Sequence, residues 1–352
     1  VVIASDTLFA ALVDALNRAG EDVAGFARVY QSAPPFLLTS AFPFVGDVRF
    51  YPMPADPARI FGPEVLARYG KTLGKIHFLS EGLLQEAAKG ERLDTWLFPE
   101  DESQIPQKGL TLQGQSLWLK VEEIQKLPKA FQRDEKRRHA LRHLAVWTAA
   151  RVPRVTIDRI NSASNIFQAG KVEFERDCGL WFGVQWRAPQ AEFGGRKFAV
   201  AFERALQMLS EDGLGGERTT GYGAFRYSRG DALSLREPAA GGLVYLLNRY
   251  HPKDAEIQLA LADSRSAYRL ATVGGWLRTF GGPGQRRKRL FLLEEGSLLP
   301  TLEGVAGDLA DLRPTYKDAS GQNVAGLAHP VYRAGLALTM GWAAPGGAHA
   351  KV

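Results

Sequence analysis

Gly213-Leu214-Gly215-Gly216-Glu217-Arg218-Thr219-Thr220-Gly221-Tyr222-Gly223 is the stretch around which the chain is organised. Residues 198–209, just before it, put Phe198, Phe202, Ala205, Leu206 and Leu209 on one stripe, which predicts an amphipathic helix. Residues 224–227, just after it, predict a short strand. A helix, a glycine-rich basic loop and a strand, in that order, bring backbone N–H groups close to a phosphate. Glycine has no Cβ, so it permits positive φ and lets the chain approach a ligand. Arg218 adds a fork of donors and the threonines add hydroxyls. The same composition also suits a plain sharp turn, and the residues alone leave both readings open. The stretch is not a Walker loop, because no Gly-Lys-Ser/Thr follows. It is not a dinucleotide fingerprint either, because it follows a helix rather than opening one.

A length of 352 residues allows two ordinary domains or one large elaborated one. With 45% hydrophobic and 23% charged residues, the balance is that of a soluble globular protein. No apolar run approaches the ~18 residues of a membrane span. Val1-Val2-Ile3-Ala4 has no signal-peptide character and no initiator Met, so a few residues are expected to precede it. The single cysteine, Cys178, excludes a disulfide within these residues and a thiolate metal cluster, and suits a reducing cytosol. Its apolar neighbours predict a buried structural thiol. A net charge of +6 and a pI near 9.3 favour a polyanionic partner, nucleic acid first. Two clusters concentrate that charge. Arg133, Lys136, Arg137, Arg138 and Arg142 lie in a segment read as helical or disordered. Arg286-Arg287-Lys288-Arg289 reads as an anion site, since adjacent cations repel unless something offsets them.

In chain order, residues 5–16 predict a helix capped by Ser5 or Asp6, with Leu8, Leu12, Ala15 and Leu16 as its core stripe. Residues 36–44 and 48–54 predict two strands joined at 45–47, the second held to an edge or strand end by its prolines. Phe42, Phe44 and Tyr51 on these strands are either core or stacking surfaces for bases. A strand at 75–79 and a Ser80-capped helix at 80–89 follow. Residues 93–107, broken by Pro99 and Pro106, read as a loop. A β-hairpin turns at Gln113-Gly114-Gln115. Next come an alternating strand over 147–159, paired strands at 165–170 and 171–175, and apolar residues 178–186. The last third predicts strands at 243–250 and 268–277, then segments at 289–297 and 329–338 with no assigned element, and a frayed tail at 343–352. The expected class is α+β, with two ferredoxin-like (RRM-like) units side by side, 1–150 and 151–352, the boundary approximate. Such sheets bind single-stranded RNA in other proteins, though fold does not fix function.

Four stretches carry a family resemblance. They are residues 5–12; 38–44 with 50–54; Arg154-Val155-Thr156-Ile157-Asp158-Arg159; and the glycine loop, followed by His329-Pro330-Val331-Tyr332. On these the chain resembles the RAMP superfamily of CRISPR effector proteins. Within it, the chain is similar to the type III-A Csm subunit that caps the 5′ end of the guide RNA. The resemblance implies two ferredoxin-like folds and a place at the foot of the complex, beside the Cas10-type large subunit and the first backbone RAMP subunit of the filament. It implies a hold on the repeat-derived 5′ handle of the crRNA, with target RNA met only indirectly. It also implies a β-hairpin thumb, for which residues 110–119 are the choice. It implies no catalytic residue, cofactor, metal or membrane, and a cytoplasmic location. The family's loop often reads Lys or Arg with serines where this chain has Glu217-Arg218-Thr219-Thr220. Gly213, Gly215, Gly216, Arg218, Thr219, Thr220, Gly221 and Tyr222 are therefore assigned to handle phosphates and sugars. Glu217 is expected to pair with a cation or point away. Arg154 and Arg159 are strand-end phosphate contacts, unless Asp158 and Arg159 form a structural ion pair. Ser40, Phe42, Phe44, Arg49 and Tyr51 form the candidate set for splayed bases. Arg286, Arg287 and Lys288 hold RNA or an acidic face of the large subunit. His329 and Tyr332 are as readily structural as RNA-binding.

The rival is an enzyme, a metal-independent endoribonuclease that processes guide-RNA precursors, as some RAMP relatives do. It needs a general base and an acid near a 2′-hydroxyl. The histidines are His77, His139, His143, His251, His329 and His349, and His139 and His143 share a face if their segment is an α-helix. A free-standing, sequence-nonspecific RNA-binding protein is the third reading, and predicts equal affinity for handle and scrambled RNA at one salt concentration.

Overall fold

The computed structural model describes residues 2–101, 103–157, 164–277, 284–317, 320–325, 327 and 329–343. It is a mixed α+β architecture with several sheets. Helix α1 (Ser5–Arg18) buries Leu8, Phe9, Leu12, Ala15 and Leu16, the expected stripe. Its cap is not the expected one. The N-cap is Ala4, with no side-chain cap bond. Ser5 instead donates its N–H to Ser40 Oγ at 2.8 Å and accepts from Arg249 N–H at 3.0 Å, so it ties three distant segments together. Helix α2 (Val23–Ser32), capped by Asp22, stacks Phe26 and Tyr30 against Phe9 and Phe36.

Strands β1 (Phe36–Leu38), β2 (Phe42–Val45) and β3 (Val48–Pro52) follow the predicted pattern. Gly46 turns the hairpin at φ +58°, where a Cβ would lie 2.5 Å from the Lys126 carbonyl oxygen. Helix α3 (Pro63–Leu73), started by Pro63, is not among the predicted elements. The strand predicted at 75–79 is only β4 (Phe78–Ser80). Ser80 caps helix α4 (Glu81–Ala88) by accepting from Leu83 N–H, as expected.

Strands β5 (Gly109–Leu112) and β6 (Leu117–Lys120) form the predicted hairpin, with Gln113, Gly114 and Gln115 all at positive φ. It does not project. Both strands are buried in a six-stranded sheet of order β5-β6-β4-β3-β2-β9, and Trp118 stacks on Phe61. The projecting hairpin is β7 (Trp147–Ile157) paired along its full length with β8 (Ser164–Phe174). The predicted break between residues 170 and 171 does not exist, because Gly170 and Lys171 lie mid-strand opposite Arg151 and Ala150. Beyond its foot, where Trp147 meets Phe174, both faces are mostly exposed.

Strand β9 (Cys178–Trp181) joins the edge of the six-stranded sheet, and β10 (Val184–Trp186) pairs with β1. A short hairpin, β11 (Glu192–Phe193) with β12 (Arg196–Lys197), leads into α5 (Phe198–Asp212). Helix α5 buries the predicted stripe against α1, and Arg18 pairs with Asp212 across the two helices. Residues 224–227 form no strand; the chain runs as an irregular exposed segment to residue 240.

In the last third come β13 (Leu243–Leu246), α6 (Asp254–Leu261), β14 (Leu270–Val273), β15 (Trp276–Leu277), β16 (Gln285–Arg286), β17 (Leu290–Leu293) and β18 (Leu298–Pro300). They are followed by β19 (Leu309–Asp311), β20 (Thr315–Lys317), β21 (Asn323–Ala325), β22 (Tyr332–Ala334) and β23 (Thr339–Trp342). Strand β13 is the centre of a sheet of order β18-β13-β23. One hydrophobic core runs from Leu8 and Phe26 through Tyr51 and Leu206 to Tyr245 and Trp342. The expected unit boundary near residue 150 falls at the foot of the β7–β8 hairpin. The core crosses that boundary, as do β9, which completes the sheet of the first half, and the bond from Tyr245 hydroxyl to the Pro52 carbonyl.

Candidate nucleic-acid interface

The glycine loop is a lasso closed at a neck. Gly213 caps α5 at φ +82°, donating to the Leu209 carbonyl. The neck is sealed by Leu214 N–H to the Gly223 carbonyl at 2.9 Å. A Cβ on Gly223 would lie 2.2 Å from the Leu214 carbonyl oxygen, and one on Gly213 would lie 2.7 Å from the Tyr222 carbonyl oxygen. These two glycines are needed because backbone passes over backbone. Gly215, Gly216 and Gly221 differ, since a Cβ on any of them meets nothing within 4 Å. They leave open space over the main chain, which is what a ligand approaching the backbone requires. Gly215 and Gly221 have positive φ, whereas Gly216 does not.

Inside the lasso, residues Arg218–Thr220 make one 3-10 turn. The Glu217 carbonyl accepts from Thr220 Oγ1 and Tyr222 N–H. Glu217 forms no ion pair with a described residue, so its expected cation partner is not found. Arg218 is exposed, and its guanidinium makes no hydrogen bond or ion pair within the described residues. The lasso closes against the hairpin. In the β7–β8 register, Arg154 faces Phe167 and Ala150 faces Lys171, which places all four on one face. The Arg154 guanidinium lies 5.0 Å from the centre of the Tyr222 ring, a cation–π contact. The Lys171 ammonium is held above its ordinary range, chiefly by its hydrogen bond to Glu173, with Tyr222 also contributing.

Loop, hairpin and sheet edge enclose a cleft of about 2390 Å³. One wall is β8 and another is β9 with residues 182–186. The far side is the irregular segment carrying Phe225, Arg226 and Tyr227. Phe44 and Arg49 line the cleft. Arg49 is tied to Glu81 at 3.6 Å and reaches the Asp231 carbonyl at 3.5 Å. The lining mixes Arg49, Lys126, Lys171 and Arg226 with Glu81, Glu203, Glu217 and Asp231, and is rich in half-exposed rings. Such a surface suits single-stranded nucleic acid, which is held by stacking as well as by phosphate contacts.

The predicted residues divide. Gly213, Gly215, Gly216, Arg218, Thr220, Gly221 and Tyr222 are together in one loop, with Arg154 beside them and Phe44 and Arg49 across the cleft. Thr219 lies in the 3-10 turn. Arg154 is a mid-strand residue stacked on Tyr222, not a strand-end contact. Phe42 and Tyr51 are fully buried against Trp181. Their expected role on splayed bases is corrected to core packing, since no ring face reaches the surface. Burial also holds the Tyr51 phenol above its usual range. Ser40 is likewise interior, donating to Glu295 while accepting from Ser5. Arg287 is used within the fold, with Nε donating to the Gly274 carbonyl at 2.8 Å. Arg286 and Lys288 are exposed, but on a separate ribbon. His329 is exposed, with its ring near its neighbour Pro330 carbonyl, and Tyr332 is half-buried in β22. Asp158, Arg159 and His349 lie outside the described residues.

Phe167, Lys171, Phe225, Arg226 and Tyr227 also line the cleft and were missed. The alternation at 224–227 was visible, but it was read as a strand, which hid its exposed rings. The histidine reading changes as well. Residues Glu135–His143 form a 3-10 helix, in which residues four apart are turned well away from each other. Buried Arg142 there donates to the carbonyls of Pro99 and Glu100. No described histidine lines the cleft. Among the described residues no group of His, Cys, Asp and Glu is placed to hold a metal, and no helix is long and apolar enough to cross a membrane.

Comparison with known proteins supplies the setting. Residues 240–342 match the family model of the CRISPR Csm4 C-terminal domain. The CRISPR system Cms protein Csm4 of Thermococcus onnurineus is 25% identical over 97% of this chain and 92% of its own length. Its counterpart from Mycobacterium tuberculosis is 24% identical over 84% and 79%. A chain in the crystal structure of the Csm3-Csm4 subcomplex in the type III-A CRISPR-Cas interference complex shares the fold, with a TM-score of 0.64 at 16% identity. The match covers 97% of this chain and 94% of that one. A chain in the crystal structure of the Csm1-Csm4 cassette in complex with cA4 matches with a TM-score of 0.51 at 17% identity, over 98% and 93%. These matches agree with the resemblance carried by the four sequence stretches: the chain is similar to Csm4 proteins over most of its length, and residues 240–342 match the Csm4 C-terminal domain.

Proposed function

We propose that this Csm effector subunit is a non-catalytic RNA clamp that anchors the 5′ handle of the crRNA. The observation that carries the reading is the open floor of the lasso. Gly215, Gly216 and Gly221 leave the main chain uncovered beside Arg218, which has no partner among the described residues, and Tyr222 of the same loop carries Arg154 on its ring. Backbone N–H groups and one free guanidinium recognise phosphates without reading sequence. The cleft rings Phe44, Phe167, Phe225 and Tyr227 supply stacking faces for unpaired bases. On this reading the β7–β8 hairpin is the thumb, because it is the long two-stranded projection beside the loop, whereas β5–β6 is buried. The fold is two ferredoxin-like units that share one core.

The relatives' structures are described as a Csm3-Csm4 subcomplex and a Csm1-Csm4 cassette. By analogy this chain docks to a Cas10-type large subunit and to the first backbone subunit, in the cytoplasm. The test is guide-RNA retention by the assembled complex. Arg218→Ala is expected to weaken retention with the fold intact, and retention equal to wild type counts against the clamp. Crosslinks between guide RNA and this chain should fall on residues 213–223 and on the hairpin. Incubating the purified chain with repeat RNA tests the endoribonuclease alternative, and cleavage abolished by a His→Ala change would replace the clamp reading with it.

A further inference from the structure

We infer that the β-ribbon formed by β14–β15 and β16–β17 is a second contact for single-stranded nucleic acid, built on Trp276 and separate from the glycine loop. From Ser264 to Leu293 the sequence contains Arg265, Arg269, Arg278 and the run 286–289, and neither Asp nor Glu. A narrow element with cations and no internal anion carries a positive potential that only a partner can offset. The fold leaves that charge outside. Arg265 pairs with Asp263, and Arg269 with Glu294 and the Met53 carbonyl. Arg287 locks the kink at Gly274 and Gly275, its backbone N–H donating to the Gly275 carbonyl at 3.0 Å and its Nε to the Gly274 carbonyl at 2.8 Å. Arg286, Lys288 and Arg289 remain exposed, with no carboxylate partner among the described residues.

Among these cations stand rings that are more than half exposed. Trp276 is 71% exposed, the highest value of any exposed large hydrophobic residue described, and Phe291 is 54% exposed. The register sets Trp276 directly opposite Arg286, and Phe291 opposite Thr272. Leu292 and Leu290, the alternate residues of β17, face the core instead. One face of the ribbon is therefore anchored, and the other presents Leu270, Phe291 and Arg289, with Trp276 and Arg286 further out.

The chemistry favours a polynucleotide over an acidic protein surface. A protein interface centres on a contiguous apolar patch with charge at its rim. Here rings and cations alternate along a thin ribbon, which matches bases and phosphates alternating along a strand. Stacking needs an unpaired base, so the ligand is single-stranded.

The full chain, titrated with a fluorescein-labelled 12-nucleotide oligouridylate, tests this. Stacking on one aromatic is worth about 1–3 kcal/mol per base, so Trp276→Ala should weaken binding about 5- to 150-fold. Trp276→Phe should retain most of the affinity. Replacing Arg286, Lys288 and Arg289 together by Gln should reduce the slope of log affinity against log salt by about 2, at roughly 0.7 per phosphate contact. Melting temperatures should not move, since none of these side chains is packed. Arg218→Ala serves as the separate arm. Loss with Arg218→Ala but none with Trp276→Ala overturns the ribbon and leaves the loop reading standing. The reverse leaves the ribbon standing alone. No binding by the wild-type chain at low salt also overturns the proposal. So does a Trp276→Ala variant that keeps RNA but drops a protein partner from the reconstituted complex.

Discussion

Gly223→Ala should open the neck of the lasso without unfolding the protein. The glycine has φ +81°, and a methyl there lies 2.2 Å from the Leu214 carbonyl oxygen and 2.9 Å from its nitrogen. Both neighbours are backbone, so neither can swing aside. The left-handed conformation alone costs a non-glycine residue about 1–2 kcal/mol. Losing the Leu214–Gly223 hydrogen bond adds about 0.5–1.5 kcal/mol. The sum, about 1.5–3.5 kcal/mol, exceeds what a mostly exposed loop can hold, so the chain relieves it by separating residues 214 and 223. At 1.4 kcal/mol per factor of ten, the closed form loses roughly 10- to 300-fold against the open one. The Leu214 amide reports this directly, and its hydrogen exchange should accelerate by that factor, up to the limit of an unprotected amide. The fall in melting temperature should be a few degrees at most, because the buried stripe of α5 ends at Leu209. Gly216→Ala is the control. Its methyl meets nothing within 4 Å and its φ is not positive, so Leu214 exchange and melting should match wild type while RNA affinity falls. Unchanged Leu214 protection in Gly223→Ala, or an opened neck in Gly216→Ala, refutes this division of the glycines.

Phe42→Ala should cost about 3–5 kcal/mol of stability, as for other buried aromatics. A chemical-denaturation midpoint that stays put while RNA binding falls would restore the stacking role. Arg154→Ala should weaken handle binding through loss of the cation–π contact and of its charge; about 1–2 kcal/mol is expected for stability at this half-buried site. A double-mutant cycle with Tyr222→Leu should show coupling, and strict additivity would mean that the 5.0 Å contact does nothing. Burial, aided by Glu175 and Asp177, pushes the Cys178 thiol up to about 12. The neutral thiol is thus the folded form throughout the range below that value, and the thiolate fraction at pH 8 is on the order of 10⁻⁴. Iodoacetamide should label native Cys178 far more slowly than the denatured chain at pH 8, and equal rates would show the site to be open.

Burial, more than secondary structure, is what separates the legible part of this fold from the rest. The stripes of α1 and α5, the Ser80 cap and the 113–115 turn rest on local chemistry, and the sequence carried them. Helix α3 begins at Pro63 and was passed over, because its apolar residues Val65, Leu66 and Tyr69 are spaced between charges and only half-buried. The lasso was legible as a glycine pattern, but the pattern could not say which glycines close a neck and which leave room. That depends on Leu214 and Gly223 meeting across eight intervening residues.

The hairpins show most clearly where local reading ends. Residues 109–120 read as a strand pair and 147–175 as a strand followed by a strand pair, and length and alternation are the only local guides. Leu110, Leu117 and Leu119 are interior because β4 pairs with β6 and the 3-10 helix Glu135–His143 covers β5, contacts made across many residues. Val155, Ile157 and Ile166 are as apolar as those leucines, yet Ile166 is 67% exposed, because nothing packs on the outer half of β7–β8. One signal did distinguish them. Arg151, Arg154 and Lys171 sit among the apolar residues of the second hairpin, and buried strands rarely admit so many cations. A hairpin whose apolar residues are interleaved with cations is better placed on the surface, beside a polyanion, than in the core. The same rule, applied to residues 264–293, selects the Trp276 ribbon, so the β7–β8 hairpin and the ribbon stand or fall on one physical argument, and RNA binding by their variants tests it twice.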